Sequence, residues 1–203
     1  QLKQLGVLIR QAKLLKKQYD VVIANPPYMG SKYHIPVLKK YLKQQFKGSE
    51  KDLFSAFMVR CSSMGLRTAR VGIMSPNVWL YINSHEELRS FISSGRTLQN
   101  LVELPLSGFT GATVQICSFT FINSGLPSAK GSFIRLVEQK GGSSEMAAYT
   151  KKAIQNSKCG YLFMKAQSEF THIPGRPIAY WLSQAEMNSF RSEKIENSAT
   201  VCI

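Results

Sequence analysis

Acidic residues are scarce in this 203-residue chain: twelve aspartates and glutamates stand against 26 lysines and arginines, a formal charge of +14. Long apolar runs are missing as well. No stretch of about 18 consecutive apolar residues occurs, which argues against a membrane-spanning helix. Only four cysteines (Cys61, Cys117, Cys159, Cys202) and three histidines (His34, His85, His172) are present. They are scattered, with no Cys-x-x-Cys pair and no zinc-type spacing, so metal chemistry has no support. Four widely separated cysteines fit a reducing compartment, and the cytoplasm is the expected location. Internal repeats and low-complexity tracts are absent. What remains is an ordinary folding composition, 44% hydrophobic and 10% aromatic, enough for one core and the start of a second domain.

The positive charge is unevenly placed. Residues 1–50 hold ten lysines and arginines against two acids, +8 of the total, whereas the remaining three-quarters of the chain carries the other +6. Lys3, Arg10, Lys13, Lys16 and Lys17 form one group, and Lys32, Lys39, Lys40, Lys43 and Lys47 a second. A solvated lysine face explains any one of them. Together they favour a polyanionic partner, with phosphates the obvious candidate.

That basic region surrounds the most informative motif. The apolar run Asp20–Ala24 breaks into Asn25-Pro26-Pro27-Tyr28. Such a pattern describes a buried strand ending in a rigid loop, because two prolines fix φ and remove two backbone donors. The Asn25 amide and the Asn25 and Pro26 carbonyls are then acceptors with no strand partner, beside an aromatic ring. This cluster suits an exocyclic amine gripped by acceptors while a flat group stacks on the ring. Asn-Pro and Pro-Pro are also common turn formers, so the tetrapeptide gains weight only with the strand before it and the matches downstream.

Periodicity organises the rest. Residues 2–18 read as an amphipathic helix with Leu5, Leu8, Ile9, Ala12 and Leu15 on one side. Strands are expected at 20–24, 70–74, 99–104, 113–122 and 132–138. Ser49–Asp52 is a helix-start signal for an apolar stripe from Leu53 to Met64, and Ser84–Glu87 is a capping box with Gly95 as the closing cap. Gly141–Ser144 reads as a linker, followed by a polar stretch and an amphipathic helix through Ile178, Trp181, Leu182, Ala185 and Phe190. Strands separated by helices imply an α/β layer fold with a mainly parallel sheet, in which ligands bind at the carboxyl ends of strands.

Three segments, Asn25–Tyr33 (NPPYMGSKY), Asp52–Phe57 (DLFSAF) and Gly108–Phe121 (GFTGATVQICSFTF), occur in the order of motifs IV, V and VIII of adenine-specific DNA methyltransferases. The first and third look especially similar to the large methyltransferases of BREX-type phage-exclusion systems. The resemblance implies S-adenosylmethionine as cofactor, double-stranded DNA as partner and N6 of adenine as the methylated atom, with other phage-defence components as possible partners. It assigns Asn25 and Pro26, with Pro27, to the target amine, Tyr28 to stacking on the extruded base, and Phe109 to its other face. Asp52, Leu53 and Phe54 match the motif that lines the base or cofactor pocket.

The resemblance also implies two parts. Residues 1–140 are expected to be the second half of a class I S-adenosylmethionine-dependent methyltransferase fold. Residues 141–203 are expected to be a linker and the start of a target-recognition region. The family's Gly-rich cofactor turn and its acidic ribose ligand have no counterpart here, so the chain is expected to be an internal piece, inactive alone. Three alternatives stay open: a protein glutamine N5-methyltransferase, an RNA guanine methyltransferase and a non-catalytic nucleic-acid-binding module.

Overall fold

A computed structural model of the chain describes residues 2–108, 111, 113–126 and 128–190. Along them run α1 (Leu2–Lys16), β1 (Tyr19–Ala24), α2 (Pro36–Gln45), α3 (Leu53–Met64), β2 (Gly65–Pro76), α4 (Glu86–Ser93), β3 (Thr97–Glu103), β4 (Ile116–Ile122), β5 (Lys130–Arg135), α5 (Ser143–Gln155), β6 (Leu162–Ala166) and α6 (Gln184–Ser189). The strands form one sheet in the order β1-β2-β4-β3-β5-β6. β1 pairs parallel with β2, and β3 with β5, while β4 and β6 pair antiparallel with their neighbours. Four strands therefore share one direction, as an α/β fold requires, and β4 and β6 run against them. β4 follows β3 through the 104–115 connection, which contains no α-helix to carry a crossover, and pairs antiparallel with it.

Strand alternation decides which side of the sheet is buried. Val22 and Ala24 lie beside Val71 and Ile73, which face Phe121 and Phe119 across the next ladder. This face packs against Phe54, Met58 and Cys61 of α3, Leu88 and Ile92 of α4, and Trp79 and Leu80 between β2 and α4. Phe170, Ile173, Ile178, Tyr180 and Met187 close the same core. On the opposite face, Met146 and Ala153 of α5 cover only the region of Ile134 and Leu136. Elsewhere that face is bare among the described residues: Val21 is 57% exposed and Ile23 81%. The apolar side of α1 is also exposed at Leu5, Leu8, Ile9 and Leu15.

Several local expectations change. The Ser84–Glu87 capping box does not form. The chain makes a 3-10 turn over Asn83–His85 instead, and α4 starts at Glu86 with no side-chain cap. At Gly141–Ser144 the expected linker is the start of α5, where the Glu145 carboxylate accepts the Gly142 N–H at 2.8 Å. The apolar spacing from Ile178 to Phe190 belongs to two objects. Ile178–Leu182 crosses the core without helix, its Ile178 N–H donating to the Leu80 carbonyl, and only Gln184–Ser189 is helical, capped by Ser183.

Arg89 ties this late segment to α4. Its guanidinium is 1% exposed and donates to the carbonyls of Trp79, Ile82 and Gly175. Carbonyl dipoles replace the hydration that burial removes, so the 173–177 turn is held by a group that is costly to leave unmatched.

Candidate active site

β1 delivers Asn25 to the carboxyl edge of the sheet, one residue after its pairing with β2 ends at Ala24–Ile73. Pro26 is buried and Asn25 and Pro27 are exposed. Tyr28, 40% exposed, donates its hydroxyl to Asn25 Oδ1 at 3.1 Å. This bond fixes the Asn25 amide with its oxygen toward the Tyr28 side, and an amide oxygen retains a second lone pair for a ligand donor. Burial, and then the neighbouring Cys117 thiol, push the Tyr28 phenol above its ordinary pKa, so it stays protonated and able to donate.

The far end of the loop is stitched to the start of α3. Asp52 caps that helix by accepting the Phe54 N–H at 3.3 Å, and the same oxygen accepts the Met29 N–H at 3.2 Å. Leu53 N–H returns to the Met29 carbonyl, Ser31 N–H bonds the Lys51 carbonyl, and Gly30 and Asp52 form a bridge. His34 Nε2 lies 2.9 Å from the same Met29 carbonyl, which requires the proton on that nitrogen. Burial raises the Asp52 pKa, opposed by the backbone N–H groups it accepts and by His34. Of the pocket-lining trio expected from sequence, Asp52 is thus engaged in clamping the loop, Leu53 is half-buried, and Phe54 sits in the core against the His85 ring.

Phe109 lies outside the described residues. The loop that carries it is anchored at its start: Ser107 Oγ donates to the Gly141 carbonyl, and Gly108 N–H to Pro105. Gly108 is buried so tightly that a Cβ there would lie 3.0 Å from Pro105 and 3.1 Å from Met146. Lys32, Lys39, Lys40, Lys43 and Lys47 are all exposed, three of them on α2, which follows the loop and buries only Leu42. Tyr33 and Tyr41 are exposed among them, and Lys32 Nζ sits 4.7 Å from the Tyr33 ring centre.

Sequence reasoning missed a second polar cluster at the same edge. Glu103 ends β3, is 2% exposed, and accepts Asn77 Nδ2 at 2.8 Å, the Tyr81 hydroxyl at 2.6 Å and the Tyr180 hydroxyl at 2.5 Å. Burial and the adjacent carboxylate push both tyrosines far above their usual range. Nothing in the sequence joins Glu103 to a tyrosine 77 residues away. His85 was also missed: it is buried, bonds Ser55 Oγ at 3.2 Å, and burial lowers its pKa to about 4.

Whether these residues could cradle S-adenosylmethionine is a question of backbone. A nucleotide-type cofactor needs glycine in the turn that directly follows a parallel strand. No glycine lies in the first four residues after β1, β2, β3 or β5. The described residues therefore hold no glycine turn of that kind. Among them, no three His, Cys, Asp or Glu side chains converge as a metal site, and no helix is long and apolar enough to cross a membrane.

An α/β sheet of this order, with a proline-rigid Asn-Pro-Pro-Tyr loop at a strand's carboxyl end, defines part of a class I methyltransferase core. The chain belongs to the Eco57I restriction-modification methylase family, whose model matches residues 7–109. It is 31% identical over 96% of its length to the adenine-specific methyltransferase PglX of Lacticaseibacillus casei strain Zhang. To the adenine-specific methyltransferase BrxX of Escherichia coli O9:H4 strain HS it is 32% identical over 90%. The chain spans 16% and 15% of these two proteins. In fold it is similar to the methyltransferase subunit of a type I restriction-modification system from Streptococcus thermophilus, with a TM-score of 0.60 over 81% of this chain and 38% of that one, at 12% identity.

Proposed function

We propose that this chain is the amine-binding half of an adenine-specific DNA methyltransferase of phage-defence or restriction-modification type. The observation that carries the reading is the Asn25–Tyr28 loop, set at the carboxyl end of β1 and clamped by Asp52. Family membership and the adenine-specific relatives support it.

The chemistry follows from the acceptors. The N6 amine of adenine is a poor nucleophile because its lone pair is delocalised into the ring. Asn25 Oδ1 and the Pro26 carbonyl accept its two hydrogens and favour the pyramidal geometry that exposes the lone pair. Tyr28 stacks on the extruded base and, with Phe109, offsets part of the unstacking cost. No strong base is needed at the tetrapeptide, since the amine proton becomes acidic only as the nitrogen gains positive charge. S-adenosylmethionine supplies the methyl group. In this reading its cradle belongs to another part of the complete protein, covering the apolar surface left bare at Val21, Ile23 and α1.

Double-stranded DNA is the partner. The α2 lysines and their neighbours meet phosphates, and the region from about residue 160 begins the reading of bases. A glutamine N5-methyltransferase has no use for such a basic flank, and a pure binding module has no use for a clamped amine-binding loop. The test uses the complete protein with methyl-labelled S-adenosylmethionine and three acceptors: duplex DNA, RNA and protein. Label recovered as N6-methyladenine from DNA is the expected result. Label confined to RNA guanine or to protein, or label in none of them, contradicts the reading.

A further inference from the structure

We propose that the cleft at the carboxyl ends of β2, β3 and β5 is a second nucleobase site, holding an unpaired base of the DNA other than the adenine bound at Asn25. The proposal rests on the DNA reading above and concerns a different set of residues. Asn77 follows β2, Glu103 ends β3 and Arg135 ends β5. Because these strands share a direction, the three side chains meet at one edge of the sheet, the edge that also presents Asn25. There they line a cleft of about 730 Å³, within the range of small-ligand sites, and none of Asn25–Tyr28 contributes to its wall.

Its polar groups are few and fixed. Glu103 Oε2 accepts both Tyr81 and Tyr180, whereas Oε1 accepts Asn77 alone and keeps a lone pair open. The Asn77 amide nitrogen donates to Glu103 and, at 3.4 Å, to Gln115 Oε1, so the Asn77 amide is held with its oxygen unbonded among the described residues. Gln115 is exposed at the mouth, and its amide nitrogen has no partner among the described residues. The cleft thus offers acceptors at Asn77 and Glu103 beside the Gln115 donors, the combination that adjacent donor and acceptor atoms of a base edge require.

Flat groups supply the rest. Trp181 packs edge-on to Tyr81 with ring centres 5.4 Å apart, and the Arg135 guanidinium lies 5.1 Å from the Trp181 centre. Arg135 Nε is buried without a partner among the described residues. Arg135 also pairs through Nη1 with the Glu138 carboxylate, which holds its guanidinium plane beside Trp181. Such a wall stacks a planar base, as in single-strand binding surfaces. A lipid chain or an aliphatic side chain would leave the amides and the open Glu103 lone pair unmatched.

The test uses the complete protein and a duplex carrying its own methylation site, located by sequencing modified DNA from expressing cells. Each nucleotide except the target adenine is replaced in turn by an abasic analogue, and affinity is measured for wild type, Trp181→Ala and Gln115→Ala. At one position the abasic change should weaken wild-type binding about tenfold, the scale of a lost stacking contact. The same change should cost Trp181→Ala nothing further, and should cost Gln115→Ala less than wild type, because that variant has already lost the hydrogen bonds but keeps the stacking wall. If no position shows a penalty that shrinks in either variant, there is no second base site, and this holds whether or not the target adenine is methylated. Methylation of the intact duplex, followed in parallel, reports on the DNA reading separately. Should Trp181→Ala fail to fold, Gln115→Ala carries the test, because its side chain lies exposed at the mouth.

Discussion

Asp52 makes one object of two elements that the sequence presents 23 residues apart: its carboxylate caps α3 and grips the loop after Asn25-Pro26-Pro27-Tyr28. Asp52→Ala should remove a helix cap, at a cost of about 1 kcal/mol, and loosen the loop as well. The expected outcome in the complete protein is a lower melting temperature and a fall in turnover larger than any change in DNA affinity. Asp52→Asn keeps a good cap and should recover most of the turnover; equal losses in the two variants would contradict the clamp. His85 makes a second prediction. Its pKa falls from 6.5 to about 4 because burial disfavours the charged ring, followed by repulsion from Arg89 and Lys51. A depressed folded-state pKa means stability that is fully present above about pH 6.5 and lost as pH falls toward 4, by about 3 kcal/mol in all. Proton NMR titration of the His85 ring should show a midpoint near 4, and one near 6.5 would contradict it. Asn25–Tyr28 was legible in the sequence because four consecutive residues form the motif. The Glu103–Tyr81–Tyr180 cluster was not, because only the folded sheet brings its members together.

At the scale of elements, strands read more clearly than helices. β2, β3, β4 and β5 were each legible from β-branched and aromatic runs, which sit in a sheet whatever covers it. α5 and β6 were hidden in a stretch that looked merely polar, since an edge strand and a half-covered helix carry weak periodicity. The Ile178–Phe190 stripe misled for the opposite reason: an extended segment crossing a core buries apolar residues at intervals that imitate a helix. α2 carries the prediction at this scale. With Lys39, Lys40 and Lys43 exposed on one helix beside the loop, DNA binding by the complete protein should weaken steeply with salt. Replacing all three should flatten the log–log slope by about one to three units without changing which sequence is methylated. An unchanged slope would return these lysines to the solvated surface.

For the molecule as a whole, the α/β class and the placing of the loop at a strand's carboxyl end were legible from the order of strands and helices. The antiparallel place of β4 between β2 and β3 was not, because strand order within a sheet leaves no local trace. A sheet bare on much of one face, with no glycine turn after any of its parallel strands, should not hold S-adenosylmethionine. Calorimetric titration of the 203-residue chain alone should show no binding, and micromolar affinity would contradict the absence of a cradle. The central claim is that Asn25 holds the amine that is methylated. It is tested most directly by sequencing N6-methyladenine in cells that express the complete protein with Asn25 or with Asn25→Ala. Wild type should mark one sequence throughout the genome. The variant should leave it unmarked while its purified form binds DNA nearly as before, because the acceptors act mainly in the transition state. Retention of more than about a tenth of wild-type turnover by Asn25→Ala would contradict the account.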